Sequence, residues 1–351
     1  MSNLDGFQTF QEKEVIILGA GIIGCATARI LLQKGYNVTV VAKDLPGDTD
    51  IFYASNWAGA MWYGSGDIKS DHQKFMQTIS FRIFSSDLLK DPNCGVCKVQ
   101  TKELYEERPT SLWHTGVTPR FRQLESREFD NKEFSFGCEY ENLVIEPARY
   151  LSYLKCELER LGGRFVRESI YSLEELYEKF PGSIIFVNAS GLGSKHIGGI
   201  NDKKCFPNRG QNILVKADTN TLFTRNGKEY TYIIPRPLQG AVVCGGVNQE
   251  NETSAEVDIA IVEDEIKRTN KLAPQLIKKN PDILGYIIGI RPAREGGFRL
   301  EKEKVSQDKY ILHLYGFDGT GYTYSYGAAY SVGQMVEEIE KKRLLGTNHR
   351  L

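Results

Sequence analysis

Three stretches carry residue types whose spacing could do chemistry. Residues 14–43 read EVIILGAGIIGCATARILLQKGYNVTVVAK and hold Gly19, Gly21 and Gly24 in G-x-G-x-x-G spacing, with Ala20, Ile22 and Ile23 between them. Each glycine has a mechanical reason: the first permits a tight turn, the second lets backbone approach a pyrophosphate, and the third lets a helix pack on a strand. A helix starting there points free N–H groups and a partial positive charge at the phosphates. A ribose-binding acid is expected about 20 residues beyond the motif. Asp44 stands there, preceded by Lys43, so the ribose contact falls to Asp44 or to backbone. The second stretch is GIRPAREGGFR, Gly289–Arg299, where Arg291 follows an apolar run directly. A guanidinium is permanently charged and matches a carboxylate with two parallel hydrogen bonds. The plainer reading of any single arginine is a surface salt bridge. The third is YASNWAGAMW, Tyr53–Trp62, whose small Ala58, Gly59 and Ala60 would let backbone lie against a flat ring.

These residues need a scaffold, and the pattern supplies one. Val15–Leu18 is a buried strand, Ile22 to about Lys34 a helix stopped by Gly35, and Asn37–Val41 a second strand, the order that a dinucleotide fingerprint requires. The spacing then predicts a helix over 68–90, a loop over 92–108, and short strands within 121–140. A helix opens at Glu146-Pro147 and ends before Gly162-Gly163. Strands follow at 164–167 and 183–187, the latter entering a second glycine-bearing turn, NASGLGS. Segments 210–216, 230–234 and 241–246 alternate as antiparallel strands. A helix over 257–272, strands over 286–290 and 310–315, and a last helix from Tyr322 to about Leu344 complete the chain. The expected architecture is α/β: a Rossmann-like nucleotide domain from 1–65, 146–200 and 290–351, with a strand-rich α+β substrate domain from 66–145 and 201–289.

Composition narrows the class. With 351 residues, 41% hydrophobic and 25% charged, the chain has the make-up of a globular protein of about two domains. A formal net charge of −1 leaves no general electrostatic footprint for nucleic acid or an anionic membrane. No apolar run approaches the roughly 20 residues of a membrane helix, and MSNLDGFQTFQEKE lacks the pattern of a secretory signal. Seven scattered cysteines suggest reduced thiols in an intracellular compartment. The Cys94/Cys97 pair has no second pair at zinc spacing, so no metal is expected. The terminal His349-Arg350-Leu351 is similar to a peroxisomal address apart from its histidine.

Six motifs in order resemble the FAD-dependent D-amino-acid oxidase family, including its D-aspartate oxidase branch. They are the N-terminal fingerprint, S-x-W-A-G-A at Ser55–Ala60, P-x-R-G-Q at Pro207–Gln211, Tyr-Ile-Ile-Pro at Tyr232–Pro235, G-x-R-P-x-R at Gly289–Arg294, and Y-G-F…G-Y at Tyr315–Tyr322. The resemblance implies FAD as cofactor and oxidative deamination of D-amino acids to 2-oxo acids, ammonia and hydrogen peroxide, by hydride transfer from Cα to flavin N5. It implies that Arg291 clamps the α-carboxylate, the Tyr232 hydroxyl reaches the same group, and the Gly319 carbonyl receives the amine. It places the flavin against Ser55, Ala58, Gly59, Ala60, Ile170, Ser190, Gly191, Arg291, Asp318, Gly319, Gly321, Tyr322 and Thr323, besides the fingerprint, Lys43 and Asp44. The peroxisomal reading of the terminus gains weight from it.

Two departures bear on the substrate. Where some members carry a second tyrosine, Gly245-Gly246 is followed here by Val247 and Asn248, and Asp318 stands where others have Gly or Ser. In the D-aspartate branch the Asn248 position resembles arginine, which argues against an acidic substrate. Arg225, seven residues before Tyr232, argues for one. Neutral D-amino acids are therefore the expected substrates, with D-aspartate through Arg225 as the alternative. A flavin-binding protein without turnover is a third reading. A nicotinamide dehydrogenase fits only the first fingerprint. Expected partners are the small substrate, O2, a second copy of the chain and, through the terminus, a peroxisomal import receptor.

Overall fold

The computed structural model describes residues 14–347 except 65–67, 69, 131 and 307–308. In chain order the elements are β1 (Glu14–Leu18), α1 (Ile22–Gln33), β2 (Asn37–Ala42), α2 (Asp71–Lys90), β3 (Val96–Tyr105), β4 (Arg122–Gln123), β5 (Phe136–Ile145), α3 (Pro147–Arg160), β6 (Arg164–Arg167), α4 (Leu173–Lys179), β7 (Ile185–Asn188), β8 (Cys205–Lys216), β9 (Thr221–Asn226), β10 (Thr231–Arg236), β11 (Ala241–Gly245), β12 (Gln249–Glu250), α5 (Ile259–Leu272), β13 (Ile283–Arg294), β14 (Arg299–Lys304), β15 (Tyr310–Tyr315) and α6 (Gly321–Thr347).

The first sheet runs β14-β15-β7-β1-β2-β6. β15, β7, β1, β2 and β6 are mutually parallel, and β14 is an antiparallel edge. Parallel strands need both faces covered, which is why β1 is apolar at successive positions. Val15 and Ile17 face a core shared with α1, α2, α3 and α6, whereas Ile16 and Leu18 face a smaller core closed by Leu173 and Leu176 of α4. The strands come from both ends of the chain, so the two glycine turns, after β1 and after β15, open on one edge of this sheet.

The second sheet runs β12-β8-β11-β10-β9-β3-β5-β4, with β13 paired to β8. Alternation sets its two faces. Ile213, Val215, Ile233, Val242 and Cys244 pack under α5, while Tyr232, Ile234 and Val243 face the other way. The long β8–β13 ladder places Gly289 opposite Gly210 and Arg291 opposite Asn208. Residues 60–62 run beside β5, through Ala60–Ile145 and Trp62–Leu143 backbone bonds, and so tie the Tyr53–Trp62 segment to this sheet.

Several expectations change. Residues 92–108 are not a loop: β3 occupies their centre, its residues alternating between buried and more exposed positions so that Lys98 and Lys102 lie outside and Val99, Thr101 and Glu103 inside. The charged residues of that alternation hid the strand. α4, β9 and the charged edge strand β14 were likewise without an apolar signal. The boundary expected at 65/66 runs through one core, because Met76 and Phe84 of α2 pack with Tyr326 and Val332 of α6. Cys94 and Cys97 are free and buried, and burial pushes the Cys97 thiol up to about 11. Among the described residues no group of three or more His, Cys, Asp or Glu could hold a metal ion, and no helix is long and apolar enough to cross a membrane.

Candidate active site

The nucleotide end is made of backbone. Gly19 has φ +111°, and a Cβ there would lie 2.3 Å from the Ala189 carbonyl oxygen. A Cβ on Gly24 would lie 1.9 Å from the Gly19 carbonyl oxygen. No side chain other than hydrogen is compatible with either contact, so the turn between β1 and α1 is closed by close approach rather than by side-chain bonds. α1 begins at Gly21 without a capping side chain of its own, and its first turn holds no acid. Its Ile22 N–H donates to Ser55 Oγ at 2.9 Å. That end is suited to an anionic phosphate group. Lys43 is exposed and pairs with Asp50 at 2.6 Å. The Asp44 carboxyl, at the end of β2, is raised chiefly by burial, with Lys43 opposing.

The Tyr53–Trp62 segment is fastened from three sides. The Tyr53 hydroxyl donates to the Ala20 carbonyl at 2.7 Å, and the Tyr322 hydroxyl to the Ser55 carbonyl at 2.9 Å. Arg236 donates to the Ala58 carbonyl at 3.0 Å and to the Ile145 carbonyl. Burial lowers this guanidinium to about 10, and the two carbonyls satisfy it in place of water. Thr323, at the start of α6, accepts at Oγ1 from the Tyr63 N–H at 3.2 Å. Helix and segment thus form two walls of one cleft.

That cleft is a cavity of about 370 Å3, lined by Ile22, Ile23, Gly191, Gly319, Gly321, Tyr322 and Thr323 from the turns and helices of the first sheet, by Ser55, Ala58, Gly59 and Ala60 of the segment tied to β5 and β10, and by Tyr232, Asn248 and Arg291 from the second sheet. The lining leaves out Gly19, Ala20, Gly21, Gly24, Lys43, Asp44 and Ser190. The glycines, Lys43 and Asp44 instead follow the ends of β1 and β2. The Ser190 hydroxyl is engaged with Ser194 at 2.9 Å. The cavity joins an apolar, small-residue floor to a polar wall, which suits a flat ring with a small polar molecule beside it. With the close-packed glycine turn and the acid-free start of α1, these residues fit an FAD: the turn for the pyrophosphate, Asp44 or the backbone beside it for the ribose, the Ser55–Ala60 and Gly319–Thr323 walls for the ring.

The polar wall is assembled by register. Arg291 lies across Gly210, where a Cβ would come within 2.4 Å of Nη2. Nη1 donates to the Val247 carbonyl at 3.0 Å and to Asn248 Oδ1 at 2.9 Å. Among the described residues Arg291 has no carboxylate within ion-pair distance. Tyr232 is buried against Gly245 and Gly246, and its hydroxyl donates to Asn212 Oδ1 at 2.6 Å. Burial raises the Tyr232 hydroxyl, with Arg291 opposing, so it stays a neutral donor. A Cβ on Gly319 would lie 3.8 Å from Arg291 Cδ, which brings the expected carboxylate clamp and amine acceptor side by side.

Two expected residues stand elsewhere. Arg225 is outside the cavity lining. It pairs with Glu106 and Glu133, each at 2.7 Å. Its guanidinium is already matched, so it offers no free cation to a side-chain carboxylate. The Ile170 side chain is core, packed with Ile16, Leu18 and Val41. Asn212, Asn208 and Tyr230 were not anticipated. Asn212 is a polar residue inside a buried strand, two positions from Gly210 and so on the same face, and that spacing could have revealed it.

A family model described as FAD dependent oxidoreductase matches residues 14–335. The chain is 32% identical over 332 residues to the D-amino-acid oxidase of Schizosaccharomyces pombe, covering 91% of this chain and 94% of that protein. It is 27% identical to the D-aspartate oxidase of Talaromyces thermophilus, over 94% and 96% of the two chains. Among solved structures, the glycine oxidase of Geobacillus kaustophilus is similar with a TM-score of 0.73 at 17% identity, over 92% and 94% of the two chains. That last likeness speaks to the fold alone.

Proposed function

This chain belongs to the FAD dependent oxidoreductase family, and we propose that it oxidatively deaminates D-amino acids to 2-oxo acids and ammonia, with neutral side chains favoured over acidic ones. The observation that carries this reading is Arg291: a permanent cation on the wall of a cavity beside a nucleotide-type cradle, held by Val247 and Asn248 and without an acidic partner among the described residues. A charged group left unmatched in a cavity is costly, and a substrate carboxylate answers it with two parallel hydrogen bonds. FAD, when bound, supplies the two-electron oxidation and passes the electrons to O2, giving hydrogen peroxide.

The remaining work is orientation. Tyr232 keeps its proton through burial and can turn that one donor from Asn212 Oδ1 to the same carboxylate. The Gly319 backbone carbonyl can accept from the amine. With carboxylate and amine fixed, only one hand of an amino acid directs its Cα hydrogen at the small-residue wall. Positioning of this kind contributes about 7–11 kcal/mol of barrier lowering, and none of the residues lining the cavity is a histidine or lysine that would serve as a base. The imino acid then hydrolyses to the 2-oxo acid and ammonia.

The D-aspartate alternative has a relative of that name, but its sequence support, Arg225, is occupied by Glu106 and Glu133. Import into peroxisomes through His349-Arg350-Leu351, which lies outside the described residues, and assembly of two copies remain part of the proposal. A fluorescent fusion with and without the tripeptide tests the first. The central test is anaerobic addition of D-alanine and L-alanine to the yellow holoenzyme. Bleaching by the D-isomer alone, with peroxide released once air is admitted, is the expected result. Flavin that stays oxidised with a broad panel of D-amino acids would reject the reading and return the chain to flavin binding without turnover.

A further inference from the structure

Of the residues lining the cavity, only Arg291 and Asp318 carry charge. Arg291 is taken up by the substrate carboxylate in the reading above, and on that reading the following rests. Asp318 then remains as an anion with no cationic partner among the described residues. Its Oδ1 accepts from Asn208 Nδ2 at 3.0 Å. The same amide donates to Asn248 Oδ1 at 3.2 Å, and Asn248 Oδ1 accepts in turn from Arg291 Nη1. Two amides therefore space the cation and the anion of the cavity apart. Asn208 is only 4% exposed, and its own Oδ1 has no partner, so the side chain is spent on holding the carboxylate.

Asp318 also sits at φ +48°, a conformation glycine adopts freely and Asp or Asn adopts more readily than other side chains do. A glycine would satisfy the backbone, and the carboxylate is present despite it. The residue is exposed and lines the same cavity as Arg291 and Tyr232. With the α-carboxylate on Arg291 and the amine at Gly319, Asp318 is the charged group of the lining left to meet the substrate side chain.

We propose that Asp318 is a specificity residue that selects D-amino acids with a cationic side chain, such as D-lysine, D-ornithine or D-arginine, over those with an anionic one. An uncompensated carboxylate attracts a terminal ammonium or guanidinium and repels a second carboxylate. Asn208 is its positioning residue.

The test compares holoenzyme of the natural sequence with Asp318→Asn and Asp318→Gly, measuring kcat/KM for D-lysine, D-alanine and D-aspartate. Asp318→Gly suits the positive φ, and flavin stoichiometry reports that each variant is folded. The expected result is a natural enzyme that prefers D-lysine to D-aspartate, with that ratio falling by about tenfold or more in both variants, the scale of one lost charge contact in a partly exposed site. An unaltered ratio, in an enzyme that does oxidise D-alanine, overturns this inference and leaves the oxidase reading standing. A natural enzyme that oxidises no D-amino acid overturns the oxidase reading itself.

Discussion

At the end of β1 the molecule offers a ligand its backbone; along β8 and β13 it offers side chains. The first region is held by contacts such as the Gly24 Cα against the Gly19 carbonyl, where a Cβ would sit at 1.9 Å. Its geometry is set within a few residues of chain. The second region brings together Asn208, Asn212, Tyr232, Asn248, Arg291 and Asp318, residues up to 110 positions apart that meet only because four strands pair in a particular register. A site made of backbone has little freedom to change what it binds. A site made of side chains on a fixed ladder can change one residue and change its substrate. The relatives at 27–32% identity bear names of two different oxidases, in keeping with that contrast.

The contrast can be broken most severely at its backbone end. Gly24→Val should abolish flavin binding altogether, because relief of the Cβ overlap requires α1 to move off β1. Purified variant protein is expected colourless with a lowered unfolding temperature, and a yellow preparation at natural stoichiometry would show that this turn is not needed. At the side-chain end, Arg291→Ala should leave flavin content intact and lower kcat/KM for D-alanine by about a thousandfold, the loss of a charge-assisted, paired contact. Retained flavin with lost turnover in one variant, and lost flavin in the other, would separate the two regions cleanly.

A smaller effect comes from behind the polar wall. Glu265 of α5 is fully buried under β8 and β11 with neither oxygen hydrogen-bonded, and burial pushes it up to about 9, with Arg268 opposing. The native state therefore keeps a proton that the unfolded chain releases near pH 4.5. Between these values the native form binds more protons, so the contribution to stability is fully present below about pH 4.5 and is lost as pH rises toward about 9. Glu265→Gln should flatten this slope, narrowing the stability difference between pH 5 and pH 8 by on the order of a few kcal/mol. Parallel denaturation curves for the two proteins at both values would speak against it. Least of all should change in Arg225→Ala. With its guanidinium committed to Glu106 and Glu133 and outside the cavity lining, the D-alanine to D-aspartate ratio of kcat/KM is expected to stay within about threefold, since a residue that shares no contact with the site couples weakly to it. A collapse of D-aspartate turnover alone would restore the acidic-substrate reading.

What could be read in advance divides along the same line. β1, α1, β2, α3, β6 and α6 were legible because each carries its own apolar period and its own stop signal, such as Gly35 or Gly162. β3 was not, since its lysines answer to a sheet neighbour rather than to the local chain. Arg291, Tyr232 and Gly319 were found through motif order. Asn208 and Asn212 were missed because an asparagine in a strand has no signature until its strand partner is known. Arg225 could be singled out by its spacing from Tyr232, but its partners could not, because the glutamates that pair with it come from residues 106 and 133.

By itself, then, the order of residues determined a phosphate-binding turn, a parallel sheet fed from both chain ends, and the presence of a guanidinium after an apolar strand. Those depend on neighbours within about a dozen positions, where sterics and hydrophobic period act directly. Only the folded molecule decided which charges remain free: Arg291 without an acid among the described residues, Arg225 with three, and Asp318 held by an amide from β8 of the second sheet. Charge is matched through space, and the pairing is settled by strand register and not by distance along the chain.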